Sequence, residues 1–341
     1  MDEIPTFDDI KNVVYDLGAN SAPGPDGFSA TRLGSVLDKL VSEEQVAFMK
    51  GRNIHENISV ACEMVNDLKT KRKDGNVGLK LDISQSFDTI SWSFVLEGNL
   101  KSLHNLLAFL GKYQTTSGQT VCRQKSKVYY GGGSSSRCRT ITNLLGMEVS
   151  TFPDRYLGAQ IMPKAVKYRH ICNVIDKIKK QLAVWKGKML SFQDHVVLIN
   201  SVIASYDIHN MDIYKWPRKF ILQCERVIRN FLWSGDLETA RKFVIGYDKV
   251  YCPVKEGGLG ITSMTVTNRA LLMKLCWSIR SSNKKWARFL WAKYTTRKGR
   301  VKQYAVNSSI LPGVKLVHSL VDRNTKVFIG DGRNTSLYFD V

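Results

Sequence analysis

The chain has little that would staple it or anchor it. Its 341 residues include seven cysteines, an odd count, with no two within a few positions and no C-x-x-C pair. Neither a zinc ribbon nor a disulfide framework is supported, and a reducing compartment fits. The six histidines show no H-x-x-x-H spacing and read as surface or packing residues. No apolar run approaches the ~18 residues of a membrane helix. The start Met1-Asp2-Glu3-Ile4-Pro5 lacks the basic region and apolar core of a secretory leader. An intracellular protein, nuclear or cytoplasmic, not secreted and with no membrane partner, is expected. No fixed-period repeat is evident, which argues against a solenoid.

Acidic residues are also scarce. Fifty Lys/Arg face thirty Asp/Glu, for a net charge of +20. Residues 1–150 hold as many acids as bases, so the whole excess falls on residues 151–341. Such asymmetry suggests a polyanion partner for the basic half. The plainer reading is a solvated basic surface.

Hydrophobic content of 43% is ordinary for a globular chain. The length suggests about two domains, read as 1–150 and 151–341. A helix from Asn57 would carry Val60, Ala61, Met64, Val65 and Leu68 as a buried stripe. Residues 77–83 read as a strand, Leu100 to Leu110 as a short apolar helix, and 127–138 as a strand end with a flexible glycine-serine loop. The basic half reads as mostly helical. Ile171, Val174, Ile175, Ile178, Leu182 and Trp185 recur at helical spacing. Ser191 with Asp194 resembles a capping box. Further helices are expected from about Arg218 to Trp233 and from about Thr267 to Ile279. Trp185, Phe231 and Trp277 read as core. The fold class is α+β, with helices dominant.

The most informative stretch is Leu79-Lys80-Leu81-Asp82-Ile83-Ser84-Gln85-Ser86-Phe87-Asp88. On a strand Leu79, Leu81 and Ile83 share one face, and Lys80 and Asp82 the other. Taken alone, Asp82 reads as a strand-end turn or a cap. Its neighbours add weight. Ser21-Ala22-Pro23-Gly24-Pro25-Asp26-Gly27-Phe28, Gln45 to Ile54, Ser117-Gly118-Gln119 with Lys125-Ser126, Arg155-Tyr156-Leu157-Gly158, Phe231 to Gly235, Glu256 to Ile261 and Ile329-Gly330-Asp331-Gly332 follow in a fixed order. In that order they resemble the reverse transcriptase of plant LINE-type (non-LTR) retrotransposons, over nearly the whole chain.

The resemblance implies a right-hand polymerase with parts missing: partial fingers and a palm remnant over 1–150, and a basic thumb and post-thumb region over 151–341. It implies an RNA-directed DNA polymerase ancestry using Mg²⁺ and deoxynucleotides. Asp82 would be the catalytic metal ligand. Phe87 would sit under the sugar, Lys125 near the triphosphate, and Arg155, Tyr156 and Gly158 would grip the primer. Two stretches of the pattern are missing, and the sequence stops before the zinc-binding region. The aromatic-x-Asp-Asp motif is absent, and the sole Asp-Asp pair is Asp8-Asp9, which reads as a helix start. Two-metal transfer needs at least two carboxylates converging on a pair of ions about 3.5–4 Å apart, so Mg²⁺ is not expected to be held productively. An active enzyme with a replacement carboxylate, such as Asp88, and a helical interaction module without catalysis stay open.

Residues 284–302 carry eight cations and no acid. Lys284, Lys285, Trp286, Arg288, Trp291 and Lys293 could grip the phosphate backbone of RNA or DNA and stack bases, without reading sequence. They fit an amphipathic helix with Trp286, Phe289, Leu290 and Tyr294 buried equally well. Lys177 and Lys180, with Lys179, Lys186 and Lys188, form a second basic cluster.

Overall fold

In a computed structural model, the described residues are Val46, 52–84, 93–185, 190–205, 211–238, 246–304 and 306–326. The motif residues 21–28, Asp8-Asp9, most of 45–54, Phe87, Asp88, Lys186, Lys188 and 329–332 lie outside them. Residues 1–53 and 54–341 form separate compact units; the second holds every element described below.

That unit is α+β and dominated by helices. Helix α1 (Ile54–Leu68) is followed by β1 (Asn76–Lys80), β2 (Ile83–Ser84), β3 (Ser93–Glu97), α2 (Leu100–Ser117), β4 (Thr120–Val121) and β5 (Lys127–Gly131). Then come α3 (Ser135–Leu145), β6 (Glu148–Val149) and the hairpin β7 (Asp154–Tyr156) with β8 (Ala159–Ile161). The remainder is helical: α4 (Tyr168–Ala183), α5 (Phe192–Ser205), α6 (Arg218–Ser234), α7 (Tyr247–Val250), α8 (Met264–Ser281), α9 (Lys285–Tyr294) and α10 (Leu311–Asn324). No helix among the described residues is long and apolar enough to cross a membrane.

The main sheet has the order β3-β1-β5-β6. β1 lies antiparallel between β3 and β5, and β6 joins β5 in parallel. The period-two pattern of β1 sorts its side chains. Val77 and Leu79, with Leu81 beyond the strand, enter a small core with Leu103 of α2 and Ile141 and Leu145 of α3. Gly78 faces the other way. A Cβ there would meet Leu68 at 3.2 Å, so the bare backbone lets α1 lie close on that face.

The expected strand 77–83 is two strands. β1 ends at Lys80, and Ile83–Ser84 pairs with Thr120–Val121 in a separate two-stranded ladder. The chain changes partners at Asp82. Its N–H donates to Ser126 Oγ at 3.0 Å, and its carbonyl accepts the Cys122 N–H at 2.8 Å. The loop expected over 127–138 ends early, because Ser134 caps a helix by accepting the Arg137 N–H at 3.2 Å.

α1 is buried around more of its circumference than its apolar stripe suggests. Ile58, Ala61, Cys62, Val65 and Leu68 share the large core with the β7–β8 hairpin and the later helices. Cys62 Sγ meets Tyr214 Oη at 2.9 Å, and that hydroxyl donates to the Gln160 carbonyl at 2.9 Å. Glu63 and Asn66 are buried polar residues of the same helix. Val60 and Met64, expected in the stripe, are half-buried.

The helices of the basic half follow their periodicity. Ile171, Val174, Ile175, Ile178 and Leu182 are the buried face of α4. Asp194 Oδ2 accepts from the Ser191 N–H at 2.9 Å and the Ser191 hydroxyl at 2.7 Å, and Ser191 Oγ accepts the Asp194 N–H at 3.3 Å. This reciprocal pair opens α5. Trp277 departs from its core reading: it is 45% exposed. Leu272, Leu275, Cys276 and Ile279 already fill the inner face of α8, and one residue past Cys276 turns about 100° around the helix.

Candidate functional site

Asp82 sits where the chain leaves the main sheet for the β2–β4 ladder. Its backbone is bonded on both sides to the segment Cys122–Ser126. Ser126 is buried and donates its hydroxyl to the Cys122 carbonyl at 2.7 Å, which closes a tight turn. Arg123, Gln124 and Lys125 form the exposed tip of that turn. The backbone therefore brings the turn that carries Lys125 beside Asp82, although 43 positions separate them in the sequence. An open basin of about 900 Å³ adjoins the turn, lined by Arg123, Gln124, Thr142, Asn143, Gly146 and Glu148 among others.

The segment Arg155–Gly158 lies in a β-hairpin. Leu157 and Gly158 form its two-residue tip with φ of 46° and 82°. Positive φ at both tip positions suits a type I′ turn, whose twist matches the flanking strands. Asp154 docks the hairpin against the main sheet. Its carboxylate accepts from Lys127 Nζ at 3.1 Å and from the Tyr129 hydroxyl, and it lies 3.7 Å from Lys80 Nζ. Lys80 Nζ also donates to the Arg155 carbonyl. Since Lys80 closes β1 two residues before Asp82, the hairpin, Asp82 and the Lys125 turn share one end of the sheet.

The electrostatics of this end follow from those contacts. Partial burial pushes the Asp154 carboxyl upward. The Tyr129 hydroxyl, Lys127, the Arg155 N–H and the Lys80 charge outweigh it and hold the group below the usual aspartate range. Burial, reinforced by the hydrogen bond to Asp154, pushes the Tyr129 phenol well above the ordinary tyrosine range. Tyr129 stacks on Phe152 with centroids 4.5 Å apart. Within the hairpin the Arg155 side chain is exposed and Tyr156 is buried in the large core.

The other expected contact residues lie on two helices. Lys177 and Lys180 are on α4, half-buried and exposed respectively. On α9, Lys285 and Arg288 are exposed, whereas Trp286 and Trp291 pack against the core. Lys284 stands at the N-cap position of α9 and reaches both Glu56 oxygens, at 3.0 and 3.1 Å. Lys293 Nζ donates to the Glu63 carbonyl and to Asp67 Oδ1, each at 3.0 Å. The amphipathic reading of this helix describes Leu290 and Tyr294, both fully buried. Phe289 is 39% exposed.

Sequence reasoning did not find Ser126 as the residue that receives the Asp82 N–H, nor Asp154 as the anchor of the hairpin. The first had a signal, since Ser126 follows Lys125 in the quoted motif. The second had none, because its partners Lys80, Lys127 and Tyr129 come together only through strand pairing. Among the described residues no three His, Cys, Asp or Glu side chains cluster as a metal site.

No protein-family model matches the chain. Over 135 residues, 39% of its length, the chain is 27% identical to a protein of Arabidopsis thaliana that carries the provisional name of a ribonuclease H protein. The chain spans about a fifth of that protein's length, 22%.

Proposed function

We propose that this chain is a remnant of a LINE-type retrotransposon RNA-directed DNA polymerase, catalytically defective, that binds nucleic-acid backbone without sequence preference. The observation that carries the reading is the pairing at one sheet end of Asp82 with the turn bearing Lys125. These are the two positions that the motif order assigns to the first carboxylate and to the triphosphate-side lysine. The hairpin at Arg155–Gly158 and the concentration of the +20 charge in residues 151–341 support it further. So does similarity to a protein whose name points to an enzyme acting on RNA.

In this reading Asp82 is what remains of the metal site, Phe87 belongs to the sugar pocket, and Arg155, Tyr156 and Gly158 belong to the primer side. Lys177, Lys180, Lys285 and Arg288 contribute backbone contacts. Mg²⁺ is the ion the family would use, supplying a Lewis acid for phosphoryl transfer. Among the described residues no three His, Cys, Asp or Glu side chains cluster there, and the Asp82 backbone is bonded to a hydroxyl and to a turn with two exposed cations. That set does not fit a pair of magnesium ions, which take oxygen ligands from carboxylates, water and phosphates.

Primer extension on a primed RNA template with Mg²⁺ tests the catalytic half of the proposal, and extension is expected to be absent. Incorporation that Asp82→Ala abolishes would overturn it in favour of an active enzyme with a replacement carboxylate. Anisotropy with a labelled RNA–DNA hybrid tests the binding half. Affinity should fall steeply with salt; no binding at low salt would leave a helical interaction module.

A further inference from the structure

The basic segment 284–302 divides in two. Its helical part turns cations inward: Lys284 onto Glu56, and Lys293 onto Glu63 and Asp67. These pairs also fix direction. The start of α9 meets the start of α1, and the end of α9 meets the end of α1, so the two helices run parallel and leave the core at the same end.

Both exits are basic loops. After α1 comes Lys69-Thr70-Lys71-Arg72-Lys73, all five exposed. After α9 comes a hairpin closed by the Thr295–Val301 bridge, with Arg297, Lys298 and Arg300 exposed around Gly299. The seven cations make no ion pair among the described residues; Asp74, which follows Lys73, is turned to Arg137 at 3.3 Å, and the second loop contains no carboxylate. Both backbones are held. The Thr296 N–H donates to the Arg300 carbonyl at 2.8 Å, and the Gly299 N–H to the Thr296 carbonyl at 2.9 Å. In the first loop, the buried Asn76 amide donates to the Thr70 carbonyl at 2.7 Å and to the Leu68 carbonyl at 3.2 Å. The Arg72 N–H donates to Gly132 at 3.3 Å. An open basin of about 650 Å³ lies against this loop, lined by Lys69, Lys71, Arg72, Lys73, Gly132 and Gly133.

We infer that these two loops together form a binding site for the phosphodiester backbone of a nucleic acid, straddled between the exits of α1 and α9. The inference rests on the nucleic-acid reading above and gives it a location away from Asp82. Fixed loops lose little backbone entropy on binding. A duplex offers one charge per ~1.7 Å of axis, so two cation loops can engage successive phosphates. Neither loop has an apolar side chain to enter a lipid interface, which favours nucleic acid over an anionic membrane.

The test uses the full chain and a fluorescein-labelled RNA–DNA hybrid titrated across salt. One variant carries Lys69→Ser, Lys71→Ser, Arg72→Ser and Lys73→Ser; a second carries Arg297→Ser, Lys298→Ser and Arg300→Ser. A control removes three exposed cations elsewhere, Lys215→Ser, Lys219→Ser and Lys255→Ser. Each loop variant should weaken binding by about tenfold or more and lower the salt slope by about two to three. The control should change neither appreciably. A charge-keeping variant, Lys69→Arg with Lys71→Arg and Lys73→Arg, should retain the slope, which separates loss of charge from loss of fold.

Loop variants that bind like the parent, while the parent binds the hybrid, would overturn the site and leave the proposed function standing. A parent chain that ignores the hybrid would overturn both. Loop-dependent capture on phosphatidylserine vesicles without hybrid binding would make the surface a membrane contact and also overturn the inference.

Discussion

Lys293 of α9 places its ammonium 3.1 Å from the carboxylate of Glu63 on α1, and the Glu63 side chain is fully buried. Its other oxygen, Oε1, accepts the Ser308 hydroxyl at 2.7 Å and the N–H groups of Ser309 and Ile310, each at 3.1 Å. One carboxylate thus ties α1 to α9 and to the turn that starts α10. Truncating one partner of such a buried group leaves the others unmatched.

Glu63→Ala should therefore destabilise the protein by about 3–5 kcal/mol, the range for breaking a buried pair from one side. Glu63→Gln keeps the shape and should cost less. Urea unfolding followed by circular dichroism measures both. A Glu63→Ala midpoint equal to that of the parent would show that the network contributes nothing.

Asp154 gives the protein an acid-sensitive joint. Its folded pKa lies below the usual aspartate value, so its contribution is fully present above the unfolded value of about 3.9 and is lost as pH falls through the folded value. Thermal melts of the parent should therefore lose stability towards low pH more steeply than those of Asp154→Asn. The variant should also be less stable near neutrality, since Lys80, Lys127 and Tyr129 lose their common partner. Parallel pH profiles would refute this.

The seven cysteines should divide by reactivity. Cys62, Cys224 and Cys276 are buried, and burial pushes their thiols up to about 12, 12 and 11. Cys122, Cys138, Cys172 and Cys252 are partly exposed. The thiolate is the reacting species, so native iodoacetamide labelling near pH 8 should mark the second group and spare the first. Mass spectrometry reads this directly; early labelling of Cys62 would contradict the packing of α1.

Gly132 should not tolerate a side chain. Its φ is 78°, and an added Cβ would lie 2.2 Å from the Thr70 carbonyl oxygen. Gly132→Ala is expected to cost about 2 kcal/mol or more, through backbone strain and the forced shift of the 69–73 loop. Gly111→Ala is a fair comparison, since nothing lies within 4 Å of its added Cβ. Equal melting temperatures for the two variants would be inconsistent with the observed loop.

The helices were legible where periodicity was strong. The amphipathic pattern of α4 and the Ser191–Asp194 pair sit where the sequence places them, because both signals are local. α10 went unread, since its start depends on Glu63, far away in the sequence. The strand break at Asp82 was hidden for a similar reason: Leu79, Leu81 and Ile83 alternate without interruption, and only pairing with two different ladders separates them. In the candidate site, Asp82 and Lys125 could be named from motif order. That Lys284 and Lys293 point onto α1 could not be read, because an exposed cation and a paired one look alike in a sequence.

The position of α1 has a consequence for how the chain comes into being. This helix is synthesised well before its polar partners: Tyr214 is 152 positions downstream of Cys62, Lys293 is 230 downstream of Glu63, and Ile310 is 247 downstream of it. Contacts so distant in sequence make folding slow. A nascent chain halted before residue 293 would hold a carboxylate meant for the interior with nothing to neutralise it. Until those segments emerge α1 is a helix without a finished home, open to a chaperone before its own C-terminal partners exist.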